Sequence, residues 1–69
     1  MKEVKMYLVI EIQNNGEVST ITTSHATLNE AYNKYYLVLS AAAISNVAIH
    51  SAILMSDHGE VISAECFEH

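Results

Sequence analysis

Two glycines, Gly16 and Gly59, constrain the fold of this chain more than any other feature. Gly16 ends Asn14-Asn15-Gly16, and Asn-Gly is a strong hairpin signal because a type I′ turn needs positive φ at both central residues. Gly59 ends Asp57-His58-Gly59, a second tight turn between segments rich in Val, Ile and Ala. No proline interrupts the 69 residues. The sequence therefore predicts two β-hairpins, one in each half of the chain.

The first hairpin is predicted to join a strand over residues 4–13 to a strand over residues 17–24. Strict alternation gives the first strand one apolar face. The residues of that face are Val4, Met6, Leu8, Ile10 and Ile12. A two-residue loop at Asn15-Gly16 sets Ile10 opposite Ile21, which adds Ile21 to this face. The second strand is rich in Thr and Ser, which is typical of an edge strand.

The second hairpin, over residues 47–56 and 60–67, has two open registers. A three-residue loop sets Ser56 opposite Glu60 and His50 opposite Cys66. The preferred two-residue loop at His58-Gly59 sets Asp57 opposite Glu60 instead. It groups six residues on one face: Ile49, Ile53, Met55, Ile62, Ala64 and Cys66. A one-residue slip turns every side chain over, so both registers stay open. Either way, apolar groups such as Leu54 or Phe67 remain on the outer face.

A helix is predicted between the hairpins, over residues 28–44. Thr27 and Glu30 fit a capping box, and Ser45-Asn46 is a plausible stop. One broad stripe of the helix is apolar and is expected to face the sheet. Its residues are Leu28, Ala31, Tyr32, Tyr35, Val38, Leu39 and Ala42. We therefore expect a single α+β domain over residues 1–69, with order ββαββ. The helix is expected on one face of a four-stranded, mostly antiparallel sheet.

Apolar residues also interrupt the polar side of this helix. Leu37, Ala41 and Ile44 fall at i, i+4 and i+7, with Tyr36 beside them. A chain this small has little interior, yet 51% of its residues are hydrophobic. We expect Tyr36, Leu37, Ala41 and Ile44 to form the interface of a homodimer, with two helices packed antiparallel across a two-fold axis.

The charge of the chain indicates which other classes of partner are disfavoured. The net charge is -5, with three lysines and no arginine. Phosphate backbones and anionic membranes are bound through clustered Lys and Arg, so neither direct nucleic-acid binding nor membrane binding is expected. A host or phage protein remains as a possible further partner. The alternative that this charge suggests is an acidic decoy that occupies a nucleic-acid-binding protein.

The residues capable of chemistry are few. His25, His50, His58 and His69 match no zinc spacing, and both glycines are assigned to turns rather than to a nucleotide loop. The exception is His50 beside Cys66, which exists in one of the two registers and defines the second alternative, a small thiol or metal enzyme. We expect no enzyme, cofactor or metal. A lone cysteine and no apolar run of helix-spanning length favour a cytoplasmic location.

A resemblance covers most of the chain. It is carried by the segment Asn29-Glu30-Ala31-Tyr32-Asn33-Lys34-Tyr35-Tyr36, by Ser40-Ala41-Ala42-Ala43, and by His50-Ser51-Ala52. These segments resemble small, functionally uncharacterised proteins encoded in prophages and integrative elements of gut bacteria. The resemblance implies an accessory protein of a mobile element. It implies no activity and no site residues.

Overall fold

The computed structural model describes residues 5–69, as a four-stranded antiparallel sheet with one helix on one face. The elements are β1 (Tyr7–Asn14), β2 (Val18–His25), α1 (Leu28–Ala43), β3 (Ile49–Ser56) and β4 (Val61–Glu68). The predicted α+β fold with order ββαββ is confirmed. Val4, placed in the first strand by the sequence pattern, lies outside the described residues.

The strand order is β2-β1-β3-β4, which the sequence leaves open. Each hairpin keeps its own two strands paired, and the two hairpins meet where β1 pairs with β3. The Thr- and Ser-rich strand β2 lies at one edge, as predicted, and β4 lies at the other. The central strands β1 and β3 therefore carry most of the contact between the two halves of the chain.

The first hairpin differs from its predicted register by one residue. Asn14 pairs with Val18, so the loop has three residues, and Ile21 lies opposite Glu11 rather than Ile10. Gly16 has a φ of 101°, but no other residue type among those described has positive φ, so Asn15 does not form a type I′ turn. The Asn14 Oδ1 atom instead accepts a hydrogen bond from the Gly16 amide at 3.2 Å. With this turn the loop has three residues, one more than the predicted two.

The second hairpin contains both registers that the sequence leaves open. At the turn, the Ser56 amide donates to the Glu60 carbonyl at 2.9 Å, as in the three-residue loop. Beyond a register shift between Leu54 and Met55, Leu54 pairs with Ser63, as in the preferred two-residue loop. A β-bulge adds one unpaired residue to one strand, and here the added residue is Ile62.

Helix α1 begins and ends within one residue of its predicted limits. The Thr27 hydroxyl accepts a hydrogen bond from the Glu30 amide at 3.2 Å, which satisfies one of the free amides of the first turn. Five residues of the predicted stripe are buried: Ala31, Tyr35, Val38, Leu39 and Ala42. Tyr32 is half-buried and Leu28 is exposed, so the sheet contact is made by the middle and the end of the helix.

The helix covers the face of the sheet that carries Val9 and Glu11 of β1. Val9 pairs with Leu54, Glu11 pairs with Ala52, and Val9, Ala52 and Leu54 are almost fully buried. Together with Ala31, Tyr35, Val38 and Leu39 of α1 they form the core. The prediction that Leu54 remains on the outer face is therefore wrong, and Phe67 is half-buried against the same core. The pairing of β1 with β3 places these three residues on one face, and the helix packs on that face.

Candidate functional site

The helix residues predicted as an interface are all exposed. Leu37 and Tyr36 are each 59% exposed, Ile44 at the C-cap is 87% exposed, and Ala41 lies open between them. We call these four residues the helix stripe. The Tyr36 ring stacks on the Tyr32 ring, with centroids 5.7 Å apart. An apolar strip that includes Tyr36 therefore runs along the solvent side of α1.

A second apolar surface, which the sequence reasoning did not identify as a candidate site, lies on the sheet face away from the helix. Because paired residues share a face, the register defines this surface, which we call the open face. Its apolar members are Leu8, Ile10, Ile12, Val18, Ile49, Ile53, Met55, Val61, Ile62, Ala64 and Cys66. On β2 it continues as Thr20, Thr22 and Ser24. The described residues place no helix over this face.

Charge is distributed unequally between the two faces of the sheet. The described strands contain three carboxylates. Glu11 and Glu65 both lie on the helix side, where each pairs with Ala52 from one of the two neighbouring strands. Glu68 lies on the open face, at a corner where it pairs with Ile49. The centre of the open face is therefore uncharged. Alternation along β1 reveals this apolar face in the sequence, but alternation does not tell which face a helix covers.

Beneath the helix, Glu11 and His50 form a polar pair. The His50 Nε2 atom lies 2.6 Å from Glu11 Oε2, and the Gln13 amide donates to the same oxygen at 3.0 Å. His50 is 4% exposed, and its Nδ1 atom has no hydrogen-bond partner among the described residues. The pair is closed off from solvent on the helix side, so its geometry suits a structural contact between β1 and β3.

The pairing of His50 with Cys66, which the alternative register would have given, does not form. Cys66 pairs with Ser51 and lies on the open face, whereas His50 pairs with Phe67 and lies under the helix. The thiol is free and exposed. Among residues 5–69, no three His, Cys, Asp or Glu side chains come together in an arrangement that could hold a metal ion.

The remaining histidines are held by local contacts. The His25 ring lies 2.9 Å from the Thr23 hydroxyl, and the His69 ring lies 2.8 Å from the Ala42 carbonyl at the end of α1. His58 lies in the second turn, with its ring 3.5 Å from the Asp57 carboxylate. The His25 contact lies within β2, the His58 contact lies within the second turn, and the His69 contact joins the last residue to the end of α1.

The chain matches no protein-family description, no curated protein and no solved structure. Within the described part of the chain, no helix is long and apolar enough to cross a membrane.

Proposed function

We propose that this chain is a non-enzymatic interaction module that forms a homodimer. The observation that carries the proposal is the large hydrophobic surface exposed on both sides of a single chain. Ile44, Leu37 and Val61 are each at least 59% exposed. Single exposed apolar residues are common, but here they adjoin one another on the helix stripe and on the open face. Contiguous apolar patches on small proteins mark contact surfaces.

The size of the molecule supports the same proposal. One 16-residue helix covers one face of four eight-residue strands, and the described part of the chain places no layer on the other face. Domains usually bury the apolar face of each element against a second layer. A second chain would supply the missing layer and would also raise the stability of a domain that is marginal alone.

Binding is favoured over thiol chemistry because the groups for that chemistry are separated. Cys66 and His50 lie on opposite faces of the sheet, and His50 is committed to Glu11. A thiolate nucleophile needs a cationic or basic neighbour. With the likeness to small prophage proteins and the lone cysteine, we assign the module, within this proposal, to the accessory proteins of a mobile element and to the cytoplasm.

Two surfaces are available for the second chain. The sequence points to the helix stripe, where Leu37 and Ile44 of one helix would pack antiparallel to their copies. The register points to the open face, which is broader. Both surfaces support self-association, and they differ in the residues that a second copy would bury.

The test of the proposed function is the mass of the full chain in solution. Sedimentation equilibrium from micromolar to millimolar concentration should give twice the 7.6 kDa mass of one chain, with a reversible transition to the monomer on dilution. A single-chain mass throughout this range would contradict the homodimer.

A further inference from the structure

We infer that the second copy binds the open face, so that two sheets pack face to face and the two helices lie on the outside. This inference rests on the proposed homodimer and names the surface that forms it. A two-fold axis that lies between the two sheets, parallel to their planes, would turn the two open faces towards each other and bring the same residues of both copies together, as isologous dimers require. Sheets packed in this way lie about 10 Å apart with interdigitated side chains.

The first argument is that the open face carries more apolar residues than the face that the helix covers. An antiparallel sheet with one covered face normally turns its apolar residues towards the covering layer and its polar residues to water. Here β1 turns Glu11 and Gln13 towards the helix side, and Leu8, Ile10 and Ile12 to the open face. Residues 5–69 therefore supply no covering layer for the more apolar face.

The second argument is the arrangement of residues within the open face. Ile10 and Ile53 are paired directly on the two central strands and are half-buried even in the single chain. Thr20 and Thr22 border this centre on the edge strand β2. A hydrophobic centre next to polar residues at the rim is typical of a protein–protein interface, and here the polar rim lies on the β2 side, whereas the apolar surface continues onto β4.

The third argument is electrostatic. Each copy has a net charge of -5, so two copies repel one another wherever their carboxylates meet. On the open face, Glu68 at the corner is the carboxylate contributed by the described strands. Two copies can thus approach through this face with little repulsion. A lipid surface would favour lysines around the patch, but Lys5 and Lys34 are not on the described strands.

The fourth argument is area. Four strands of eight residues, spaced about 4.8 Å apart with a rise of about 3.3 Å per residue, give the face a projected area of about 500 Å². Two copies would cover about 1,000 Å² of projected area, which reaches the lower limit for a specific interface. The helix stripe spans two turns, about 10 Å along the axis, and offers much less.

The test uses matched lysine substitutions in the full chain. Ile53→Lys places a charge at the centre of the open face, and Leu37→Lys places the same charge on the helix stripe. Because each substitution occurs twice in an isologous dimer, we expect Ile53→Lys to raise the dimer dissociation constant by about 100-fold or more. Leu37→Lys should leave it within a factor of about three. Far-UV circular dichroism verifies that each variant is folded.

The second measurement needs no variant. A mixture of isotope-labelled and unlabelled wild-type chains is examined for nuclear Overhauser effects between copies. We expect contacts between copies from the methyl groups of Ile10 and Ile53, and none from Leu37. This measurement decides the question where Ile53→Lys fails to fold or where both variants dissociate.

The outcomes separate this inference from the proposed function. A dimer whose intermolecular contacts come from Leu37 and Ile44, or from edge strands alone, overturns the open-face interface and leaves the homodimer standing. A single-chain mass at every concentration removes the homodimer itself. Binding of a different protein to a monomeric open face would also overturn the assignment of a second copy.

Discussion

At the scale of single residues, the contact between Glu11 and His50 ties together the two hairpins beneath the helix. Glu11 belongs to β1 and His50 to β3, and their side chains are 39 positions apart in the sequence. Burying such a pair stabilises a fold weakly, because desolvation offsets much of the attraction. Its removal on one side alone is costly, because the remaining partner stays buried without a hydrogen bond.

We expect Glu11→Leu to lower the free energy of unfolding by about 1–3 kcal/mol, because His50 loses its partner. The double variant Glu11→Leu/His50→Leu should lose less than Glu11→Leu alone, since both polar groups are then absent. Urea denaturation at neutral pH measures all of these values. The control is Glu65→Leu on the exposed edge of the same face, which should change stability by about 0.5 kcal/mol or less. Equal decreases in the free energy of unfolding for Glu11→Leu and Glu65→Leu would show that the contact between Glu11 and His50 does not stabilise the fold.

At the scale of elements, the N-terminus of α1 depends on one side chain. Thr27→Ala removes the acceptor of the Glu30 amide and should lower the free energy of unfolding by about 1 kcal/mol. Thr27→Ser keeps the hydroxyl and should stay close to the wild type. Thermal unfolding followed by far-UV circular dichroism separates the two variants. A loss in Thr27→Ser as large as in Thr27→Ala would point to the methyl group instead.

The first turn depends on the positive φ of Gly16. Gly16→Ala should cost about 1 kcal/mol, because a φ of 101° is strained for a residue with a side chain. Beyond Gly16 and its two chain neighbours, no atom of the described residues lies within 4 Å of where a β-carbon would stand, so the cost is conformational rather than steric. Gly16→Asn should cost less, because asparagine tolerates left-handed backbone better than alanine. Chemical denaturation compares the two, and an unchanged stability in Gly16→Ala would contradict the strain.

The same elements show how far the sequence determines the fold. Helix α1 is predictable because its cap, Thr27, and its apolar period are local signals that agree. The sequence predicts that both hairpins form, but it does not predict the register in which their strands pair. Asn-Gly identifies the turn, whereas the length of the loop depends on the Asn14 side chain, and the bulge at Ile62 lets two registers coexist.

The candidate site is predictable to a similar extent. Helical spacing identifies Leu37, Ala41 and Ile44 as exposed apolar residues, because the opposite stripe is wide enough to form the whole sheet contact. Alternation also identifies the apolar face that contains Ile10. The side on which the helix packs cannot be read from the pattern, because it depends on long-range pairing of β1 with β3. The open face is therefore a finding of the structure.

At the scale of the whole molecule, the fold is thin. Its Cα extents are 40 × 20 × 15 Å, and its core consists of the buried side of α1 packed against the centre of one sheet face. Such a chain buries a small share of its surface, so its stability as a monomer is limited. If the chain folds as the proposed dimer, its thermal stability depends on the protein concentration.

We therefore expect the midpoint of thermal unfolding to rise with protein concentration. Each tenfold increase should raise it by about 3–6 °C, since mass action adds about 1.4 kcal/mol per dimer, shared between two chains. Differential scanning calorimetry across three concentrations measures this slope. The variant Ile53→Lys should remove it, whereas Leu37→Lys should keep it. A midpoint that is independent of concentration in the wild type would show that the folded monomer is not stabilised by association.

The strand order has a kinetic consequence for this molecule. Ile10 and Ile53 come together through the pairing of β1 with β3, although 43 positions separate them (53 − 10). Closing a loop of that length costs about 3 kcal/mol in chain entropy, whereas each hairpin can close locally. A chain still being synthesised, or one with a single hairpin formed, therefore lacks the joined surface. Two copies would then bind each other only after β1 and β3 have paired within each chain.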